Sequence, residues 1–96
     1  MRNIHPGEVL LEKFLKPKNI NIVQLSKDLK VSEGRMAKIV RGKRIITADA
    51  SLRLSKYFNT TAKYWLGLQN DYDINEANHN FKNEYKSIKR YKKRSA

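Results

Sequence analysis

The sequence predicts an all-α fold: five helices closed around one core in residues 1–77, followed by a basic C-terminal stretch, 78–96, part of which can form a sixth helix. Three observations carry this. Apolar residues recur three and four positions apart, which is the period of a helix face and not of a strand. Most runs open on Asn, Ser, Thr or Pro, and the breaks between them hold Pro, Gly or Asn, residues that start and stop helices. Cations exceed acids by 21 to 9, a net charge of +12, and they thicken around one short helix and at the C-terminal end.

His5-Pro6 opens helix 1, because proline at the first helical position loses no hydrogen bond. Glu8 meets the positive end of that helix. Val9, Leu10, Leu11, Phe14 and Leu15 form a broad apolar face, and Glu12 and Lys16 form a favourable pair four apart. Pro17 ends the helix near Lys16. After the link Lys18–Ile20, Asn21 is placed to cap helix 2, with Gln24 at capping-box spacing. Ile22, Leu25 and Leu29 share one face, and Lys30-Val31 makes the bend. Ser32 caps helix 3. There Met36, Ile39 and Val40 face inward, turning Glu33, Gly34, Arg35, Lys38 and Arg41 outward or sideways. Gly42 is a left-handed stop, and Lys43 and Arg44 come directly after it.

Ile45-Ile46 is an apolar link expected to tuck into the core. Thr47 caps helix 4, with Asp49 in its first turn and Ala50, Leu54, Tyr57 and Phe58 facing in. Asn59-Thr60 turns the chain. Thr61 caps helix 5, which carries Tyr64, Trp65, Leu68 and Tyr72 close together on one side. The stretch from Asn78 holds seven cations, Lys82, Lys86, Lys89, Arg90, Lys92, Lys93 and Arg94, and one acid, Glu84. It reads either as a frayed, solvated tail or as an arm for phosphates or an acidic partner.

Helices 2 and 3 outline a helix-turn-helix whose second helix has an apolar back for docking and a polar front for base edges. The spacing alone equally fits an ordinary antiparallel helix pair; the charge favours DNA. Solubility needs a net charge of only about 2–8, and a polyanion is the natural partner of +12. No cysteine is present, which removes disulfides and thiolate metal sites. No apolar run approaches the roughly 18 residues of a membrane span, and the start MRNIHPGE has no signal-peptide segment. A soluble, cytoplasmic chain is expected, with no membrane partner and no cofactor. His5 and His79 are the only histidines, the acids are scattered, and there is no glycine-rich phosphate loop, so nothing suggests an enzyme or a metal site.

Five blocks in register carry a family resemblance: His5-Pro6-Gly7-Glu8, Ile39-Val40-Arg41-Gly42-Lys43-Arg44, Ile46-Thr47-Ala48-Asp49, Leu52-Arg53-Leu54, and Tyr64-Trp65-Leu66 with Leu68-Gln69. From about His5 to Asp73 the chain resembles HigA-type antitoxins, small members of the lambda-repressor-like, or XRE, helix-turn-helix class. The resemblance implies a bacterial antitoxin that neutralises a HigB-like, mRNA-cleaving toxin. It also implies a homodimer that binds a palindromic operator, represses its own operon and joins the nucleoid when bound. The alternative is a stand-alone XRE-type regulator with no toxin. Gly34 and Ala37-Lys38 depart from the Ser-like residue and the Asn-Glu common in relatives, which points to a different operator sequence.

In this class the start of the second helix reaches base edges, which by position means Glu33, Gly34 and Lys38. Lys38 can donate to guanine and Glu33 can accept from cytosine, although Glu33 also reads as an acid favouring the helix start. Gln24, Ser32, Arg35, Arg41, Lys43 and Arg44 are the phosphate candidates. Two half-sites require a dimer. Trp65, Leu68, Tyr72 and Ile74 are its candidate surface, with Trp65 more readily read as core.

Overall fold

The computed structural model of the chain describes residues 2–93. Helix α1 (Pro6–Val9) continues without a break into a π-helical segment, Leu10–Leu15. Then come α2 (Ile22–Leu29), α3 (Glu33–Val40), α4 (Ala48–Phe58), α5 (Ala62–Asn80) and the short α6 (Lys82–Lys86). The described residues contain no strand.

The N-caps expected at Asn21, Ser32, Thr47 and Thr61 form, and His5 supplies one more at α1. The side chains of His5, Asn21, Ser32, Thr47 and Thr61 each accept from a backbone N–H in the first turn of the adjoining helix. Gln24 departs from the capping-box pattern: its amide turns forward to Asp28, at 2.8 and 2.9 Å, rather than back to Asn21. The stops are left-handed residues at Asn19, Lys30, Gly42 and Asn59. At Gly42 the N–H of Lys43 reaches the Lys38 carbonyl at 2.8 Å, and that of Gly42 reaches Ile39 at 3.0 Å, which closes the end of α3.

The π-helical segment is not legible in the sequence. The N–H of Lys16 reaches back five residues to Leu11 at 2.9 Å. Closure over five residues widens the turn and brings positions five apart toward one side. Leu10 and Leu15 are consequently both sealed, at 0% and 1% exposure.

The core gathers Leu10, Leu15, Leu25, Leu29, Met36, Ile39, Ile46, Ala50, Leu54 and Trp65, with Phe14, Tyr57, Phe58 and Leu68 packed against it. Phe14, Phe58 and Trp65 stack in tilted geometry, with Phe14 5.0 Å from Phe58 and 4.9 Å from Trp65. Gly7 sits so close to α3 that a Cβ there would lie 1.8 Å from the Ile39 carbonyl oxygen. Glycine is therefore what lets the start of α1 back directly onto α3.

Four expectations need correction. Of the link Ile45-Ile46 only Ile46 enters the core; Ile45 is 55% exposed, because successive residues of an extended link point opposite ways. The boundary at 77/78 falls inside α5, which runs on to Asn80 without a stop residue. Trp65 belongs wholly to the core, with its Nε1 donating to Thr60 Oγ1 at 2.8 Å, and has no surface left for a second chain. Finally, Tyr72 and Ile74 do not share a face: at about 100° per residue they are about 160° apart around α5.

Candidate nucleic-acid interface

Helix α3 divides cleanly into back and front. Met36 and Ile39 are sealed in the core, with Val40 half-buried beside them. Glu33, Gly34 and Lys38 are exposed. Nothing lies within 4 Å of the place a Gly34 side chain would occupy, so the backbone itself is bare there. Arg41, Lys43 and Arg44 are exposed at the far end of α3, and none of them pairs with an acid among the described residues. Lys38, Arg41, Lys43 and Arg44 thus form a positive run along and beyond the front of α3.

The remaining candidates are already engaged within the chain. Ser32 uses its hydroxyl to cap α3, accepting from the Arg35 N–H at 3.1 Å. Gln24 is held by Asp28, which also accepts from the Tyr57 hydroxyl and so ties α2 to α4. These hydrogen bonds hold the Asp28 carboxyl below its ordinary pKa.

Arg35 turns sideways to α4. Its Nη2 donates to Asp49 Oδ2 at 3.1 Å and to Thr47 Oγ1 at 3.3 Å. The same carboxylate accepts from Arg53 Nε, and Arg53 Nη1 donates to the Leu29 carbonyl, the last of α2, at 2.8 Å. Arg53 and Arg35, in that order of strength, hold Asp49 below the ordinary carboxylate pKa. In the sequence Asp49 shows only a place in the first turn of α4, and Arg53 shows no role. Their spacing of four marks a helical pair; their reach to α2 and α3 needs the folded chain.

His5 joins the end of this site to the rest of the fold. It caps α1 through Nδ1, lies edge-on to Tyr72 with ring centroids 4.9 Å apart, and packs beside Gly42. Leu68 and Tyr72 are half-buried, whereas Ile74 is 57% exposed. Asn3 stitches the N-terminal segment to α5 by donating to the Tyr72 carbonyl and to Glu76. The described residues include no group of three metal-ligating side chains, and no helix among them is long and apolar enough to cross a membrane.

Comparison with known proteins fits this arrangement. A helix-turn-helix family model matches residues 11–65, more than half of the chain. A HigA-family addiction module antidote protein from Coxiella burnetii superposes with a TM-score of 0.89 at 41% identity, over 95% of this chain and 100% of that one. The chain belongs to the HigA-type helix-turn-helix family. A second HigA antitoxin, from Pseudomonas aeruginosa and solved with the higBA promoter, superposes with a TM-score of 0.89 at 38% identity, over 92% of this chain and 97% of that one. Virulence-associated protein I of Dichelobacter nodosus is 48% identical over 77 residues, 80% of this chain and 71% of its own length. A match covering 95% of the chain must run past Asn78, so the family likeness extends into part of the basic stretch that the sequence motifs left outside it.

Proposed function

We propose that this chain is a cytoplasmic, operator-binding transcriptional repressor that acts as the antitoxin of a HigB-like toxin and controls its own operon. The observation that carries the proposal is α3 itself, with its back locked into the core and its exposed cationic front free of internal partners. The promoter-bound antitoxin that it superposes on supports reading that front as a DNA face. In this reading Glu33, Gly34 and Lys38 meet base edges, while Arg41, Lys43 and Arg44 grip phosphates on either side. Ser32 and Gln24 position backbone and neighbours and contribute to phosphate binding only from the rim.

One short helix reads few base pairs, so two copies act together at half-sites about one DNA turn apart. The exposed Ile74, near the end of α5, and Phe81, just beyond it, are the proposed contact between copies. No catalytic step is part of this function. The alternative of a regulator without a toxin gains support from the +12 charge. An RNA-cleaving toxin is itself expected to be basic, and like charges do not steer two proteins together. Co-purification with the product of the adjacent reading frame decides between the two.

The DNA reading is tested with duplex DNA from upstream of this chain's own gene. Lys38→Ala shifts preference at one base pair by about tenfold, the value of one good base contact. Arg41→Ala weakens all duplexes alike and lowers the salt slope by about one. If neither substitution alters affinity, α3 is not the reading helix.

A further inference from the structure

Arg35 is the one cation of α3 that does not face outward freely, and its partner explains why. The Asp49 carboxylate receives Arg35 from the first turn of α3 and Arg53 from its own helix, while Arg53 also grips the carbonyl that ends α2. Asp49 thus ties α3 to α4 directly, and Arg53, which it holds, ties the end of α2 to the same helix. Backbone packing joins α3 to α1 and α2, and the Arg35 side chain adds the direct polar tie to α4.

We propose that Arg35, Asp49 and Arg53 form a positioning clamp that sets the angle of the reading helix, so that Arg35 acts through Asp49 and does not contact phosphate. This rests on α3 being the DNA-reading helix. Surface ion pairs add little to stability, and the Asp49 side chain is 54% exposed. The clamp therefore contributes to the fidelity of docking more than to folding. Base contacts need close placement, whereas phosphate attraction tolerates loose placement. Losing the clamp must therefore cost sequence discrimination before it costs general affinity.

Electrostatics makes the proposal sharply testable. Asp49 is an acid beside a DNA face, so removing its charge should by simple attraction strengthen binding to any DNA. The clamp predicts the opposite for the specific site. Affinities are measured by anisotropy for the native upstream duplex and for a scrambled duplex of equal length, at two salt concentrations. Asp49→Asn is expected to weaken the upstream duplex by about tenfold, the loss of one well-placed base contact, while the scrambled duplex binds as well or better. Asp49→Glu, which keeps the charge, restores most of the loss. Arg35→Ala is expected to lose the same specificity with the salt slope unchanged, and Arg35→Ala combined with Asp49→Asn loses no more than either alone.

Two binding results would overturn the clamp. One is Asp49→Asn binding the upstream duplex as tightly as the native chain or more tightly. The other is Arg35→Ala lowering the salt slope by about one on both duplexes, the signature of a phosphate contact. Discrimination lost by Asp49→Asn together with a collapse of the circular-dichroism melt would also reject it in favour of a folding role. If the unmodified chain fails to distinguish the two duplexes, the DNA-reading assignment falls first and takes the clamp with it.

Discussion

The same residue types behave differently on the two sides of Asn80. Before it, four cations are tied down, Arg2 by Glu8, Lys16 by Glu12, and Arg35 and Arg53 by Asp49, while those at the end of α3 stay unpaired among the described residues. After it, Lys82, Lys86, Lys89, Arg90, Lys92 and Lys93 pair with no acid among the described residues. Aromatic rings obey the same division. Phe14 and Trp65 stack in the core at 4.9 Å, whereas Phe81 and Tyr85 meet at 6.2 Å on the surface, and Tyr91 is 86% exposed. The radius of gyration is 17.6 Å, against about 12–13 Å for a compact chain of this length. The end of α5 and the basic arm beyond it therefore stand clear of the body. Composition does not decide whether a ring or a cation stabilises a fold; the presence of an opposing surface does. The body ties part of its cations internally and leaves the run at the end of α3 free, whereas the arm ties none among the described residues.

The largest test of that contrast is Gly7→Ala. The added carbon would meet the Ile39 backbone oxygen, which no rotamer change can relieve, so α1 and α3 must part. A loss of about 3 kcal/mol in denaturant unfolding is expected for such overpacking. Tyr91→Ala, in the arm, should stay within about 0.5 kcal/mol. Gly34→Ala faces open space on an exposed helix and should gain about 0.5–1 kcal/mol. Equal midpoints for all three would mean that the body is no more tightly packed than the arm.

A smaller effect concerns the arm's cations, and it is read in DNA binding. Replacing Lys82, Lys86, Lys89 and Arg90 with Gln should leave the melting temperature unchanged, because these side chains have no partner to lose. If the arm lies along DNA flanking the operator, the salt slope falls by about 0.9 for each phosphate contact removed, on every duplex alike. An unchanged slope leaves those cations a solvated surface.

The caps and the apolar stripes were legible because each depends on neighbours in sequence. Asn21, Ser32, Thr47 and Thr61 need only the next three residues to cap a helix, and the back of α3 needs only its own period. The π-helical segment at Leu10–Leu15, whose wider turn lets both leucines meet the core, was not legible, since that core comes from the other helices. Arg35 is instructive for the same reason. As a cation on a reading helix it looks like a phosphate ligand, and what turns it sideways lies 14 residues away in Asp49. Trp65 and Tyr72 looked like one surface from their spacing on α5, but the body closes over Trp65 and His5 covers Tyr72. Arg94, counted with the basic stretch, lies outside the described residues.

The smallest predicted effect is a pH dependence centred on His5, where the body meets the end of α3. Its Nδ1 accepts from the Gly7 N–H at 2.9 Å, so the neutral ring is the form that caps α1. Burial lowers its pKa below the ordinary 6.5, outweighing the opposing pull of Asp73. The unfolded chain therefore binds the proton more readily than the folded one. Stability rises with pH through the window between the two values and is lost as pH falls from about 6.5 toward the folded pKa. Asp28 and Asp49 are both held below 3.8 and stay charged throughout that window, so they do not produce the same slope. Melting temperature should fall between pH 7 and pH 5 in the native chain. In His5→Asn, which keeps an oxygen to cap α1, that fall should flatten. A slope that survives the substitution places the titrating group elsewhere. A slope that disappears identifies the His5 cap as the point where protonation loosens the packing of α1 and α5 around Gly42.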